Sequence, residues 1–200
     1  MRTKIKICGL TNLQDALLAA ELGADALGFV FAESKRKVTS ESAREIVRAL
    51  PAFVITAGVF MDQPVDEVRR IAEHAGLDRI QLHGEESPAE CLRAGRPVIK
   101  RISVRPGDTA ETIRSRMAAY PGPGYLIDPG AGDGKVFDWR IIRGLDIPYI
   151  LAGGLHPGNV REAVAMLHPY GVDVSGGVES EPGKKDPNKL KRFIEEARCL

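Results

Sequence analysis

Two residues in the sequence could form an acid–base pair, a thiol and a carboxyl group. Cys8 follows the short run Lys4–Ile7, which alternates charged and apolar residues, and Asp128 ends the apolar run 125–127. A thiolate can accept a proton, and a carboxyl group shielded from water can keep one to donate. Cys8 is therefore a candidate general base and Asp128 a candidate general acid. Taken alone, a single cysteine is more often a small buried hydrophobic residue, and Asp128 could simply shape the turn that follows it.

Paired glycines suggest a place for a phosphate group. Gly153 and Gly154 follow one apolar run, and Gly176 and Gly177 follow another, directly after Ser175. Glycine lets backbone N–H groups approach an anion because no Cβ stands in the way. One such pair would indicate only a tight turn, whereas two pairs after successive strands favour phosphate binding.

Three further side chains are candidates for the same pocket. Arg36 lies in the polar segment 33–37, where its planar guanidinium could hold a carboxylate, although such segments are often simply solvated. His83 follows an apolar run and Arg101 lies within another, and Arg101 or a cationic intermediate could lower the pKa of Cys8. The four histidines do not have the spacing of a metal site, so we expect no metal.

The elements that would position these residues alternate along the whole chain. Apolar runs of strand length end near residues 8, 30, 60, 82, 102, 128, 152 and 174, and a helical pattern follows each. Strict alternation predicts a parallel sheet, and eight units predict a (β/α)8 TIM barrel that forms one domain over residues 1–200. In such a barrel all eight strands end at one mouth, where the candidate residues would meet. The alternative, an open doubly wound sheet, usually has a glycine-rich first turn that Cys8-Gly9-Leu10-Thr11 does not match.

Local patterns predict smaller details of these elements. Ser40 is the expected N-cap of the second helix, and either Thr11 or Asn12 that of the first. Residues 138–143 are expected to form a brief sixth helix, and residues 179–185 an irregular loop.

Composition narrows the classes of function. The 28 basic and 27 acidic residues give a net charge of +1, which does not support nucleic-acid binding. Cys8, Cys91 and Cys199 lie far apart and are odd in number, unlike a disulfide framework. No stretch approaches the roughly 20 apolar residues of a membrane span, and no signal peptide precedes the first strand. We therefore expect a soluble cytoplasmic protein that acts on a small molecule, as a monomer or a homodimer.

Motifs spread over the whole chain are similar to those of one enzyme family. They include Lys6-Ile7-Cys8-Gly9, Gly23-Ala24-Asp25-Ala26-Leu27-Gly28-Phe29-Val30-Phe31, Gln81-Leu82-His83-Gly84, Leu151-Ala152-Gly153-Gly154-Leu155, Gly177-Val178-Glu179 and Pro182-Gly183-Lys184-Lys185-Asp186. In these motifs the chain resembles phosphoribosylanthranilate isomerase, a barrel enzyme of tryptophan biosynthesis.

The resemblance implies an Amadori rearrangement of N-(5-phosphoribosyl)anthranilate to the 1-deoxyribulose 5-phosphate form, without a cofactor. It implies that Cys8 is the general base, Asp128 the general acid and Arg36 the ligand of the anthranilate carboxylate. It also implies that the glycine loops after strands seven and eight hold the phosphate. Asp128 would protonate the furanose ring oxygen, and Cys8 would remove the C2′ proton from the resulting imine.

Three positions depart from the usual pattern of that family. Ser34-Lys35-Arg36 replaces Ser-Pro-Arg, and Gly176 replaces a common serine. The loop between Asp128 and Phe137 is short, with Gly132-Asp133-Gly134 where Gly-Gly-Thr-Gly is common, and we expect it to close over the substrate. These departures leave the acid and the base in place.

Two other functions stay open. A related isomerase acting on an aminoaldose of the histidine pathway would be expected to carry an aspartate at the end of its first strand, where this chain has Cys8. A catalytically silent phosphate-binding barrel with a regulatory or scaffolding role would not need both Cys8 and Asp128.

Overall fold

The computed structural model describes residues 2–120, 122, 124–130 and 137–199. Eight parallel strands form a closed barrel in chain order, with β1 paired to both β2 and β8. The strands are β1 (Lys4–Ile7), β2 (Ala26–Val30), β3 (Ile55–Phe60), β4 (Arg79–Leu82), β5 (Val98–Ser103), β6 (Gly124–Asp128), β7 (Ile150–Leu151) and β8 (Gly171–Val174). The predicted (β/α)8 barrel is confirmed, and closure rules out the open sheet.

Helices follow the strands around the outside of the barrel. In the described ranges the α-helices are α1 (Leu13–Glu21), α2 (Ser40–Ala49), α3 (Val65–Ala75), α4 (Pro88–Arg93), α5 (Ala110–Ala118), α6 (Val160–Leu167) and α7 (Pro187–Arg198). The sixth helix expected over 138–143 is instead a single 3₁₀ turn, Trp139–Ile142. It is this short because Gly144 turns the chain away with a φ of 83°, a conformation that glycine adopts readily.

Side-chain caps set where the helices begin. Asn12 accepts a hydrogen bond from the backbone of Asp15 and caps α1, as one of the two expected alternatives. The N-cap of α2 is Thr39, which accepts from the N–H of Ser42. The prediction of Ser40 was wrong by one residue, because two adjacent hydroxyl residues satisfy the same local pattern.

The segment after β8 also differs from the expected irregular loop. Following a 3₁₀ turn at Gly176–Val178, it forms an antiparallel hairpin of β9 (Glu179–Glu181) and β10 (Lys184–Lys185). Gly183 makes the turn with a φ of 84°. The strands are too short and too polar to show strand periodicity in the sequence, so the prediction was wrong. The hairpin brings Glu179 and Lys185, both buried, against the start of the barrel.

The protein has two buried regions, one between the strands and the helices and one inside the barrel. The outward faces of the strands pack against the helices through buried apolar side chains such as Ile7, Leu27, Phe29 and Phe60. Inside the barrel, charged residues oppose each other across neighbouring strands, as Lys6 and Asp173 do in register. No helix among the described residues has both the length and the apolar character needed to cross a membrane.

Candidate active site

A cavity of about 740 Å³ opens at the C-terminal ends of the strands. Its lining includes most of the residues singled out in the sequence, namely Arg36, His83, Asp128, Gly153, Gly154, Ser175, Gly176 and Gly177. Its volume is in the range typical of small-molecule sites. The expected convergence at the barrel mouth is therefore confirmed for these residues, whereas Cys8 and Arg101 do not line the cavity.

Cys8 lies one residue beyond β1 and is 7% exposed. Its N–H donates to the carbonyl of Val174 at 2.8 Å, and its own carbonyl accepts from Nζ of Lys185 at 2.6 Å. Burial raises the pKa of the Cys8 thiol, while Lys6 and Lys185 act to lower it and Asp173 to raise it further. The two lysines thus occupy the place that the sequence suggested for Arg101.

Asp128 is the last residue of β6 and is buried at the cavity wall. Its Oδ1 accepts the N–H of Gly130 at 2.9 Å, and its Oδ2 lies 3.8 Å from Nε2 of His83. The carboxyl group is therefore sheltered from bulk water yet borders the cavity.

His83 is a neutral partner for Asp128. Burial, and then the positive charge of Arg101, lower the pKa of His83 to about 3, so its contact with Asp128 is not an ion pair near neutral pH. Nδ1 of the ring lies 3.0 Å from Nε2 of Gln81. With the Gln81 amide oriented in this way, Nδ1 accepts a hydrogen bond and the ring proton resides on Nε2, which faces Asp128.

Arg36 is fixed by a two-point ion pair. Its Nε lies 2.8 Å from Oε1 of Glu179, and its Nη2 lies 2.7 Å from Oε2. Oε1 also accepts from Lys185 at 2.9 Å. Burial favours the neutral form of Glu179, but the bonds from Arg36 and Lys185 outweigh it and hold the pKa of this carboxyl below its ordinary value. Nη1, the third guanidinium nitrogen of Arg36, takes no part in this ion pair.

The glycine loops meet at the cavity edge. A Cβ on Gly177 would lie 1.9 Å from the carbonyl oxygen of Leu155, so the loops after β7 and β8 touch through this glycine. Gly153 and Gly154 have φ values of 90° and 63°. The 3₁₀ turn starts at Gly176, and the first N–H groups of a helix have no acceptor within it. This arrangement suits an anion.

Arg101 has a different environment from the one expected. It lies in β5 and donates from Nη1 to the carbonyl of His83 at 3.1 Å. It lines a separate pocket of about 70 Å³ together with Lys100 and Tyr120. Its place in the structure is thus behind His83, whose backbone it contacts.

No role was predicted from the sequence for four buried charged residues near Cys8. They are Lys6, Asp173, Glu179 and Lys185. A charge between isoleucines or valines of a strand, as in Lys4-Ile5-Lys6-Ile7 and Val172-Asp173-Val174, is the signal that could have identified the first two. Within the described ranges, His, Cys, Asp and Glu side chains form no group of three that could hold a metal ion. The segment Gly132-Asp133-Gly134, expected to close over the substrate, lies outside the described residues.

Comparisons with known proteins agree on one family. The sequence model of the family "N-(5'phosphoribosyl)anthranilate (PRA) isomerase" matches residues 5–196 of this chain. The N-(5'-phosphoribosyl)anthranilate isomerase of Pelobacter propionicus is 47% identical over 199 residues, covering 98% of this chain and 95% of its own.

Solved structures give the same result. A phosphoribosyl anthranilate isomerase in complex with reduced 1-(o-carboxyphenylamino)-1-deoxyribulose 5-phosphate superposes with a TM-score of 0.88 at 40% identity, covering 99% of this chain and 100% of its own. Monomers generated from the dimeric enzyme of Thermotoga maritima match with the same TM-score, identity and coverage. This chain therefore belongs to the N-(5′-phosphoribosyl)anthranilate isomerase family.

Proposed function

We propose that this protein converts N-(5′-phosphoribosyl)anthranilate to 1-(2-carboxyphenylamino)-1-deoxy-D-ribulose 5-phosphate in tryptophan biosynthesis, without a cofactor. The observation that carries the proposal is the cavity of about 740 Å³, which brings a buried carboxyl group, an arginine and two touching glycine loops together in a member of this family. The substrate has a carboxylate at one end and a phosphate at the other, and the cavity offers a partner for each.

The two anionic ends fix the orientation of the substrate. Arg36 is held by Glu179 through Nε and Nη2 and directs its remaining nitrogen to the anthranilate carboxylate. Backbone N–H groups of the loops at Gly153–154 and Gly176–177, with the hydroxyl of Ser175, hold the phosphate. Substrate held at both ends presents its ribose ring to the middle of the mouth.

Asp128 is the general acid in this proposal. It gives its proton to the furanose oxygen as the C1′–O4′ bond breaks, which leaves a protonated imine. His83 stays neutral, and its Nε2 lies 3.8 Å from Oδ2 of Asp128, beyond hydrogen-bond distance. A small shift of the ring would let it donate to the carboxylate that forms. Arg101 supports His83 from behind and does not contact the substrate.

Cys8 is the general base in this proposal, and it lies directly beside Val174, which lines the cavity and accepts the N–H of Cys8. Cys8 removes the proton from C2′, which the imine has made acidic, and the enolamine then tautomerises to the ketone. Burial works against ionisation of Cys8, but the positive charge of the imine adds to those of Lys6 and Lys185 at the moment when the base is needed.

The test is the loss of anthranilate fluorescence as substrate is consumed. We expect turnover by the wild-type protein, and a loss of at least about 100-fold in kcat in both Cys8→Ser and Asp128→Asn, as for removal of a general acid or base. Cys91→Ser is the matched control, because Cys91 is a buried cysteine of α4 away from the cavity. Full activity in Cys8→Ser or Asp128→Asn would refute the role of that residue. A wild-type protein that binds phosphate without turnover would be a silent barrel, and turnover of a histidine-pathway aminoaldose alone would make it the related isomerase.

We further propose that one barrel domain over residues 1–200 performs this reaction in the cytoplasm, as a homodimer rather than a monomer. Phe53 is fully exposed beside a cavity of about 430 Å³ at the N-terminal ends of the strands, where Tyr170 is also half exposed. An aromatic side chain in water next to an apolar recess supports pairing of two copies at this face. Light scattering should give twice the chain mass for the wild-type protein and the chain mass for Phe53→Ser. A monomeric wild-type protein would exclude the dimer.

A further inference from the structure

The ammonium group of Lys6 is buried inside the barrel, and Lys6 lies in β1 two residues before Cys8. Its side chain is 4% exposed, and Nζ lies 2.8 Å from Oδ1 of Asp173, its partner in register on β8. Burying two charges costs desolvation free energy that their mutual attraction often fails to offset. A buried pair like this is therefore weak evidence for stability and suggests a functional role. In the proposed reaction Lys6 contributes only its charge, and Asp173 has no part.

Gly28 on β2 shows how close Lys6 is to the sulfur of Cys8. A Cβ built on Gly28 would lie 2.8 Å from Sγ of Cys8 and 3.1 Å from Nζ of Lys6. The thiol and the ammonium group therefore share the space that a side chain at position 28 would fill. Gly28 does not have a positive φ, so its backbone does not require glycine and the reason for it is this space.

We propose that Lys6 is a positioning residue that stabilises the thiolate of Cys8 when it forms, with Asp173 setting the place of the ammonium group and Gly28 keeping open the space where sulfur and nitrogen meet. This inference deepens the proposed function, since it rests on Cys8 being the base.

The other charged groups around Cys8 have partners of their own. Lys185, from β10, donates to the carbonyls of Cys8 and Ser175 and to Glu179, so it acts on the backbone of the base. Arg36, from the loop after β2, is paired to Glu179. Lys6 faces the thiol of Cys8 across the space beside Gly28. Burial is the largest influence on the pKa of Cys8 and raises it, and the positive charge of Lys6 is the next largest and lowers it. Asp173, from β8, is the anion that opposes ionisation of Cys8.

The signs of these charges give a test that needs no substrate. The rate at which iodoacetamide alkylates Cys8 follows its thiolate fraction, and mass spectrometry of the digested protein separates Cys8 from Cys91 and Cys199. Lys6→Met should slow alkylation of Cys8 at pH 7.5 by about tenfold or more and move its pH profile to higher pH, because a shift of one pKa unit changes the thiolate fraction tenfold. Asp173→Asn should move the profile to lower pH. Exposed Cys199 is the internal control and should not change.

Gly28→Ala separates the two groups while both charges remain. Its Cβ would force Sγ or Nζ away, so its profile should move in the same direction as that of Lys6→Met. If Lys6 and Asp173 had only a structural role, their variants would loosen the barrel and both would speed alkylation of Cys8. An unchanged or faster reaction in Lys6→Met would overturn the proposal.

The double variant Lys6→Met/Asp173→Asn keeps the test decisive if Lys6→Met alone does not fold, because it leaves no unpaired carboxylate. Since Lys6 acts on Cys8 more strongly than Asp173 does, the double variant should still titrate at higher pH than the wild-type protein. The alkylation test and the activity test are independent. An active Cys8→Ser variant would refute the proposed role of Cys8 as the base, whereas the alkylation profile reports only on ionisation of the thiol.

Discussion

The guanidinium of Arg36 and the carboxylate of Glu179 bind each other through two parallel hydrogen bonds, 143 residues apart in the chain. Such a fork-to-fork contact fixes the plane of the guanidinium as well as its position. Glu179 in turn contacts Lys185, which reaches the carbonyl of Cys8. The residue proposed to bind the substrate carboxylate and the residue proposed as the base are thus connected through one buried carboxylate.

Glu179→Gln is expected to raise KM by about tenfold and to lower kcat less, because the amide cannot accept both bonds and Arg36 loses its fixed orientation. Steady-state kinetics would show this. Glu181→Gln is the matched control, since Glu181 lies in the same hairpin with its side chain 66% exposed. A Glu179→Gln protein with wild-type KM would mean that Arg36 is oriented by other contacts.

Lys185→Met should destabilise the fold by about 3–5 kcal/mol, the usual effect of breaking a buried ion pair from one side. The side chain of Lys185 has no exposure, and its loss leaves Glu179 with Arg36 alone. Urea unfolding would measure the change. Lys184→Met, at an exposed neighbouring position, should change the free energy of unfolding by less than about 0.5 kcal/mol. Equal effects of the two substitutions would contradict the role given to the buried ammonium group.

Gly177→Ala is expected to separate the loops after β7 and β8, since its Cβ would overlap the carbonyl oxygen of Leu155. If these loops bind phosphate, inorganic phosphate should inhibit the variant at least about tenfold more weakly than the wild-type protein, as for loss of one or two good hydrogen bonds. Gly124→Ala has room for its methyl group, with nearest atoms at 3.8 Å, and serves as the control. Unaltered inhibition in Gly177→Ala would place the phosphate elsewhere.

His83 should make the fold sensitive to mild acid. The pKa of His83 is about 3 in the folded protein and an ordinary 6.5 in the unfolded chain. Between these two pH values the unfolded chain therefore binds one more proton than the folded protein. The stabilisation is complete above pH 6.5 and is lost as the pH falls towards 3; between pH 7 and pH 5 the loss is on the order of 2 kcal/mol. Urea unfolding at both pH values should show this loss in the wild-type protein and in His74→Gln, a surface control, but not in His83→Gln. A full loss in His83→Gln would assign the pH dependence to other groups.

The barrel could be predicted because each of its units carries its own local pattern. An apolar strand, a capped helix and a closing glycine are visible within some 25 residues, and their repetition brings residues such as His83, Asp128 and Gly176 to one mouth. The 3₁₀ turn at Trp139–Ile142 and the hairpin after β8 were missed because elements of two to four residues are too short to show periodicity.

The ionic contacts around Cys8 could not be predicted for a different reason. Lys6 and Asp173 are 167 residues apart, and nothing near either one indicates its partner. Only the register of β1 against β8 brings them together. The sequence therefore indicated candidates for the proposed chemistry, and the folded chain was needed to find the buried charges that surround Cys8.

The closure of the barrel between β1 and β8 has a consequence for folding. Cys8, Lys6 and Asp173 surround the seam between the first strand and the last, so the environment of the thiol forms only when the most distant strands in the chain meet. Loop-closure entropy makes such a contact slow to form. A circular permutant could join the end of the chain to its beginning, so that β8 precedes β1. Because β1 and β8 are parallel, no short turn can link them, and α7 must remain as the crossover between them. We therefore expect the reactivity of Cys8 to change during refolding when β1 pairs with β8.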